Sequence, residues 1–232
     1  MEVIRRYRGT ERGGVFGVLR GVTLSLALVS CGGLLVPLLA KSKSFVKPEA
    51  HPAKTYPAHD DHPDEKVAIA ADPYDNAEKA KIFSINFAEH GFLPVFFVVT
   101  NNGDQPVSIA NMQITLIKPD RAKLTPLAPE DLYRRLTNPQ GETRPSPIPI
   151  PRKSVKGAIT DKQRDEIENS QFAARAVEPH SSQSGFLFFD VQGVSSPLAG
   201  SDIDVTGVDD AKGNELMFFE ISMDKYLNPS KL

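Results

Sequence analysis

The chain has one cysteine, Cys31, and no tryptophan in 232 residues. One thiol can form neither an internal disulfide nor a thiolate metal site of the paired-cysteine type, so the fold must be held by packing. Neither sign of charge dominates: 27 basic and 29 acidic residues leave a formal net charge of -2. That balance gives no reason to expect nucleic acid as a partner, because nucleic-acid binders gather Lys and Arg on one face or tract. No G-x-S-x-G, H-E-x-x-H, P-loop or GxGxxG is present, which excludes those hydrolase, zincin and phosphate-cradle motifs. Proline, in contrast, is plentiful. Nineteen of 232 residues is about 8 %, above the roughly 5 % of average chains, and favours strands, turns and extended segments over long helices.

Residues 1–20 carry five arginines (Arg5, Arg6, Arg8, Arg12, Arg20) against Glu2 and Glu11, and an uncharged run follows to Ala40. A basic stretch before an apolar one is the pattern of an export signal with its basic end retained inside. The ten residues "GVTLSLALVS" between Arg20 and Cys31 suit a signal core and are too short to span a bilayer. The tetrad Leu28-Val29-Ser30-Cys31 resembles the bacterial lipobox, and that resemblance implies lipidation of Cys31 as the anchor. Residues 21–40 taken together reach the length of a spanning helix, so an uncleaved membrane anchor remains a rival, as does cleavage after Ala40. In all three cases residues 1–40 are a targeting segment, and the remainder is exported and faces the periplasm or cell exterior.

Residues 41–71 contain four prolines and few large apolar residues, with no sustained period of 2 or 3.6, and read as a disordered linker. Within it His51, His59 and His62, with neighbouring aspartates, are candidate ligands for zinc or copper. Their spacing matches no structural zinc pattern, and the expectation is a solvated linker with no metal and no cofactor.

The domain is expected over residues 72–232. "ADPYDNAEKAKIF" predicts a short helix with Asp72 as cap and Pro73 at its first position. "IFSINF" alternates Phe83, Ile85 and Phe87 with polar residues, as a strand does. "LPVFFVVTNNGDQPVSI" predicts a hairpin with its turn at 101–104 and Gly103 at positive φ. "NMQITLIKPD", "GFLFFDV", "SDIDVTGV" and "NELMFFEISM" supply four more strands. About seven strands without strand-helix alternation point to a mainly β, antiparallel sandwich. A segment at about 119–184 is too long for a plain loop. It holds the helix-like "APEDLYRRL", the polyproline stretch "PSPIPIPRK", and "TDKQRDEIENSQFAAR", a surface helix capped by Thr160 or Asp161.

Val177-Glu178-Pro179-His180-Ser181 followed by residues 185–191, "GFLFFDV", together with "LPVFFVVTNNGD", resembles immunoglobulin-like domains of bacterial lipoproteins and secreted envelope proteins. The resemblance implies an Ig-like sandwich exported on a lipid anchor, in families mostly of unknown function; the helical and Pro-rich insertion departs from it.

No catalytic residue stands out. His90 in "AEHGF" reads as a solvated turn histidine, and "HSSQSG" as a turn leading into a strand. The acid pairs Asp209-Asp210 and Glu130-Asp131 sit where turns and helix starts ordinarily put acids. The expectation is a membrane-tethered, non-enzymatic binding or structural module of a bacterial envelope, with an envelope protein or glycan as partner. The alternatives are an envelope hydrolase with an unrecognised site, betrayed by a pocket of convergent polar groups with shifted pKa values, and metal capture by the His/Asp-rich linker.

Overall fold

Strand β3, Phe92–Asn101, is buried along all ten of its residues, and the rest of the fold is arranged around it. In this computed structural model, residues 45–137 and 159–229 are described. Residues 1–44, with Cys31 and the segment expected to target the chain, and the polyproline stretch at 145–153 lie outside them. Two antiparallel four-stranded sheets share one core. The first has the order β1 (His59–His62), β2 (Val67–Pro73), β3, β8 (Ser181–Asp190). The second runs β10 (Phe219–Ser222), β9 (Asp202–Thr206), β5 (Gln113–Ile117), β6 (Lys123–Leu124). A separate pair joins β4 (Val107–Ser108) to β7 (Ala176–Val177).

Side chains at alternate positions of a strand point to opposite faces. Leu93, Val95, Phe97 and Val99 of β3, with Val67, Ile69, Leu187 and Phe189, meet Leu116, Ile203, Val205, Phe219 and Ile221 of the second sheet. This is the core of a β-sandwich. The other parity of the same strands, Phe92, Phe96, Val98, Ala68, Ala70, Phe186 and Phe188, packs into a second core. There it meets Leu132 and Leu136 of α2 (Pro129–Thr137), Ile167 of α3 (Asp161–Ser170), and Ala53, Phe83, Ile85 and Phe87. The described residues therefore form three layers, sheet on sheet with a helical cover, and the central strands of the first sheet, β2 and β3, are buried on both faces. Its aromatic side is dense: Phe83 meets Phe186 edge-on at 4.9 Å and Phe87 at 5.1 Å, and Phe45 stacks on Phe83 at 5.5 Å.

Several expectations are corrected. The linker assigned to residues 41–71 contains β1 and most of β2, and the compact unit begins at Lys43. "VAIAA" has small side chains and no alternation because both of its faces are covered, as in a buried sheet strand. Asp72 and Pro73 end β2 rather than starting a helix; the helix there is α1, Ala77–Ala80, whose cap Asn76 accepts the backbone N–H of Lys79 at 3.0 Å. "IFSINF" buries Phe83, Ile85 and Phe87 from a bend and a 3-10 turn, Phe87–His90, instead of a strand. Of "NELMFFEISM" only the last part is strand.

The hairpin is also absent. β3 pairs with β2 and β8, whereas β4 pairs with β7. The buried Asn101 diverts the chain: its Oδ1 accepts Gly103 N–H at 2.8 Å, and its Nδ2 donates to Gln105 O at 2.8 Å and Val177 O at 3.1 Å. Gly103 is not left-handed; Gly213, in the connection between β9 and β10, is, at φ 82°.

The segment at 119–184 forms part of the cover. Of the two caps the sequence offers for α3, Thr160 and Asp161, it is Thr160 that caps it, in a full capping box with Gln163. It is not confined to the surface, since Glu166, Ile167 and Ser170 are buried, and Glu166 Oε1 accepts the N–H of Ser84 at 2.8 Å. A glycine sets how closely the chain after α3 approaches: a Cβ on Gly185 of β8 would lie 2.4 Å from Phe172 Cα.

Candidate functional site

β3 begins where β8 ends, Phe92 standing opposite Asp190. The chain turns sharply on both sides of this junction. Gly91 closes the preceding 3-10 turn at φ 76°, and the "GVSSPLAG" loop that follows β8 has Gly193, Ser196 and Gly200 all at positive φ. Val191 N–H bonds to Gly91 O at 2.8 Å and Ala199 N–H to Ser196 O at 3.3 Å, and Asp224 Oδ1 holds Gly200 N–H at 2.9 Å. Asp224 opens α4, Asp224–Leu227.

The curled loop, the 3-10 turn and the end of α4 enclose a cleft of about 890 Å³, within the range of small-molecule sites. Phe92, Leu93 and Leu198 form its buried floor, Val191, Val194 and Pro197 its half-buried sides, and Leu227 stands in it 41 % exposed. Arg135 of α2 enters from the cover layer and ion-pairs with Asp190, which also accepts Gln192 N–H at 3.0 Å. Glu89 and His90 form one exposed lip of it, and half-buried Tyr74 with exposed Asp75 forms a second.

The second lip is braced. Tyr226 donates its hydroxyl to Asp75 Oδ1 at 2.6 Å, and Lys79 Nζ, 4.6 Å from the Tyr226 ring centroid, pairs with Asp72 at 2.5 Å. Burial, then the Asp72 charge, pushes the Tyr74 phenol up to about 12. Burial and the hydrogen bond to Asp75 push the Tyr226 phenol up as well. Both therefore stand as neutral O–H groups at ordinary pH. Pro94, whose ring lacks a donor, lies where β2 has just ended: its carbonyl accepts Tyr74 N–H at 2.8 Å, and its missing N–H faces that same side.

Of the residues singled out in the sequence, His90 alone lines this cleft. His51, His59 and His62 do not converge, and among the described residues no group of three His, Cys, Asp or Glu side chains is placed to hold a metal ion. His59 Nδ1 is 2.6 Å from Tyr56 O; both ring nitrogens of His62 face carboxylates, Glu65 at 2.9 Å and Asp60 at 3.2 Å. Asp210 accepts the N–H groups of Lys212 and Asn214, bonds that with Asn214's side chain hold its carboxyl below the usual range. Glu130 and Asp131 open α2. His180 turns at φ 53° into β8 and meets Asp104 at 3.0 Å. The elements of the cleft that the sequence did not disclose are Arg135, Tyr74, Asp75 and Leu227, which come from three separate stretches. The one local signal was "GVSSPLAG", small residues between two firm strands.

The described chain is thus a β-sandwich with a helical cover and a ligand-sized cleft at one end of its buried sheet. No protein-family profile matches it, and neither a curated protein nor a solved structure is significantly similar to it. Among the described residues no helix is long and apolar enough to cross a membrane.

Proposed function

We propose that the chain is a non-enzymatic binding module of a bacterial cell envelope, exported and held at the membrane by its N-terminal segment, with the cleft as its ligand site. The cleft of about 890 Å³ carries this reading. Its floor is apolar, its charged groups are few, with Arg135 in the wall paired to Asp190 and the others at the rim, and the loop that shapes it is fixed by its own turns and by Asp224. Such a concave apolar site with a small number of placed polar groups is what small-molecule recognition requires. Of the groups that line it, Tyr74 has a displaced pKa, upward and away from the neutral range where a general base must work. This favours binding over catalysis.

Membrane tethering rests on the basic, then apolar N-terminus and the lipobox-like tetrad ending in Cys31. The sandwich within this reading is immunoglobulin-like. Two antiparallel sheets sharing one core, and a chain that passes from the first sheet to the second after β8 and, by way of β4, after β3, support that description; the covered outer face departs from it.

Native mass spectrometry of the full chain isolated from its membrane tests the reading. The wild type should carry a small molecule that Ala199→Trp, which fills the cleft from an exposed wall position, does not. Equal occupancy of both proteins would place the ligand elsewhere.

A further inference from the structure

Charge around the cleft is unevenly compensated. Arg135, the one guanidinium in its wall, is already matched by Asp190. Two carboxylates that line it, Asp75 and Glu89, are not matched in this way. Asp75 accepts a neutral phenol hydroxyl from Tyr226, while the nearby ammonium of Lys79 is committed to Asp72 at 2.5 Å. Glu89 makes no salt bridge among the described residues, and both it and Asp75 are exposed at the mouth. The cleft is therefore apolar at its floor and negative at its rim. A ligand that filled it with an anion outward would face two carboxylates; one with a neutral head would leave that field unused.

The geometry points to an amphiphilic cation as the occupant: an apolar body against Leu93, Leu198 and Leu227, and an ammonium-type head at the mouth, in the field of Asp75 and Glu89. This rests on the reading of the cleft as a ligand site and specifies the chemistry it selects. Complementary charge contributes selectivity and rate of association more than raw affinity. The apolar body supplies most of the binding through burial, and the head decides which amphiphile is kept.

The test uses the full chain in lipid nanodiscs with three soluble probes of one shape, 4-phenylbutylamine, 4-phenylbutanol and 4-phenylbutanoate, titrated by calorimetry against empty nanodiscs. The amine should bind tightest and the carboxylate weakest. Asp75→Asn and Glu89→Gln should each weaken the amine by about threefold, the scale of an exposed ion pair, and leave the alcohol unchanged; raising salt should reduce the amine's advantage. Val194→Arg, which puts a cation into the wall, should abolish the amine's binding. If all three probes bind alike and Ala199→Trp abolishes all three, the cleft is a ligand site and the charge inference is wrong. If the carboxylate binds tightest, the inference is overturned in favour of Arg135 as the anchor. If none of the three binds above empty nanodiscs, both this inference and the reading of the cleft fall.

Discussion

The imidazole of His62 lies flat on the ring of Phe219, centroids 4.0 Å apart and planes 14° from parallel. His62 is on β1, at the edge of the first sheet, and Phe219 on β10, at the edge of the second. The contact is the centre of a latch. Asp60 and Glu65, which flank the imidazole, each accept a backbone N–H from the β10 side, from Glu220 and Met217 respectively, both at 2.9 Å. Exposed strand edges invite pairing with other chains; here acidic side chains occupy two donors of such an edge.

Because these groups act together, their losses should not add. His62→Ala and Asp60→Asn should each cost about 1 kcal/mol, the scale of a partly exposed charge-assisted hydrogen bond. The double variant should lose less than the sum, by a coupling of at least about 0.5 kcal/mol. Denaturant melts of the four proteins measure it, and strict additivity would mean that the latch is three unrelated contacts.

Removal of residues 1–71 should abolish folding, although the sequence alone suggested the domain would survive it. That deletion takes β1 and leaves β2 with Asp72 and Pro73 only, exposing the flank of β3 and both cores at once. Removal of residues 1–42 should leave a cooperative melt, since the compact unit starts at Lys43. A folded protein lacking residues 1–71 would refute the placement of β2.

The two errors behind that difference have one physical source. Sequence periodicity finds strands with one wet face, and it found β5 and β9, where Leu116, Ile203 and Val205 alternate with polar residues. In the first sheet β2 and β3 have no wet face. "VAIAADP" shows no alternation and so carries no strand period, and the unbroken apolar run of "FLPVFFVV", which suits a hairpin strand, equally signals cover on both sides. In the same way "IFSINF" showed the period of a strand because Phe83, Ile85 and Phe87 all reach the aromatic core, which a bend can accomplish as well. Of the candidate site, His90 was visible as a residue and unrecognisable as a lip, because the other lip, Tyr74 and Asp75, arrives through β2.

Gly185→Ala should destabilise the protein by about 1 to 3 kcal/mol, the usual cost of overpacking. The added Cβ would meet backbone, Phe172 Cα at 2.4 Å, rather than a side chain able to swing away. Gly213→Ala should cost about 1 to 2 kcal/mol for a different reason, the left-handed backbone at φ 82° with open space around it. Thermal melts distinguish the two when paired with Gly213→Asn, which tolerates that conformation and should recover most of the loss.

Acid should affect two aspartates in opposite directions. Burial, then the charge of Asp202, holds the Asp204 carboxyl above its usual value. A carboxyl that binds its proton more tightly when folded is stabilised by protonation, so ionised Asp204 costs stability at neutral pH and the cost disappears as pH falls through the carboxylate range. Asp204→Asn should therefore raise Tm at pH 7, with the advantage vanishing at low pH. Asp104 is held low, first by its hydrogen bond from Lys66 and then by the charge of Lys66 and by His180. Its contribution is present above the unfolded carboxylate pKa and lost as pH falls through the folded one. Asp104→Asn should then lower Tm at pH 7 and not at low pH. Scans of Tm against pH for both variants check the two signs.

The cleft is the centre of the account, and methyl NMR of the full chain addresses it most directly. With Val and Leu methyls labelled, the small-molecule fraction of an envelope extract is added and resonances are followed. Shifts concentrated at Val191, Val194, Leu198 and Leu227, and absent from Ala199→Trp, are the expected result. Shifts concentrated instead at methyls remote from these, such as Val46 or Leu216, or no shift in the wild type at all, would contradict it.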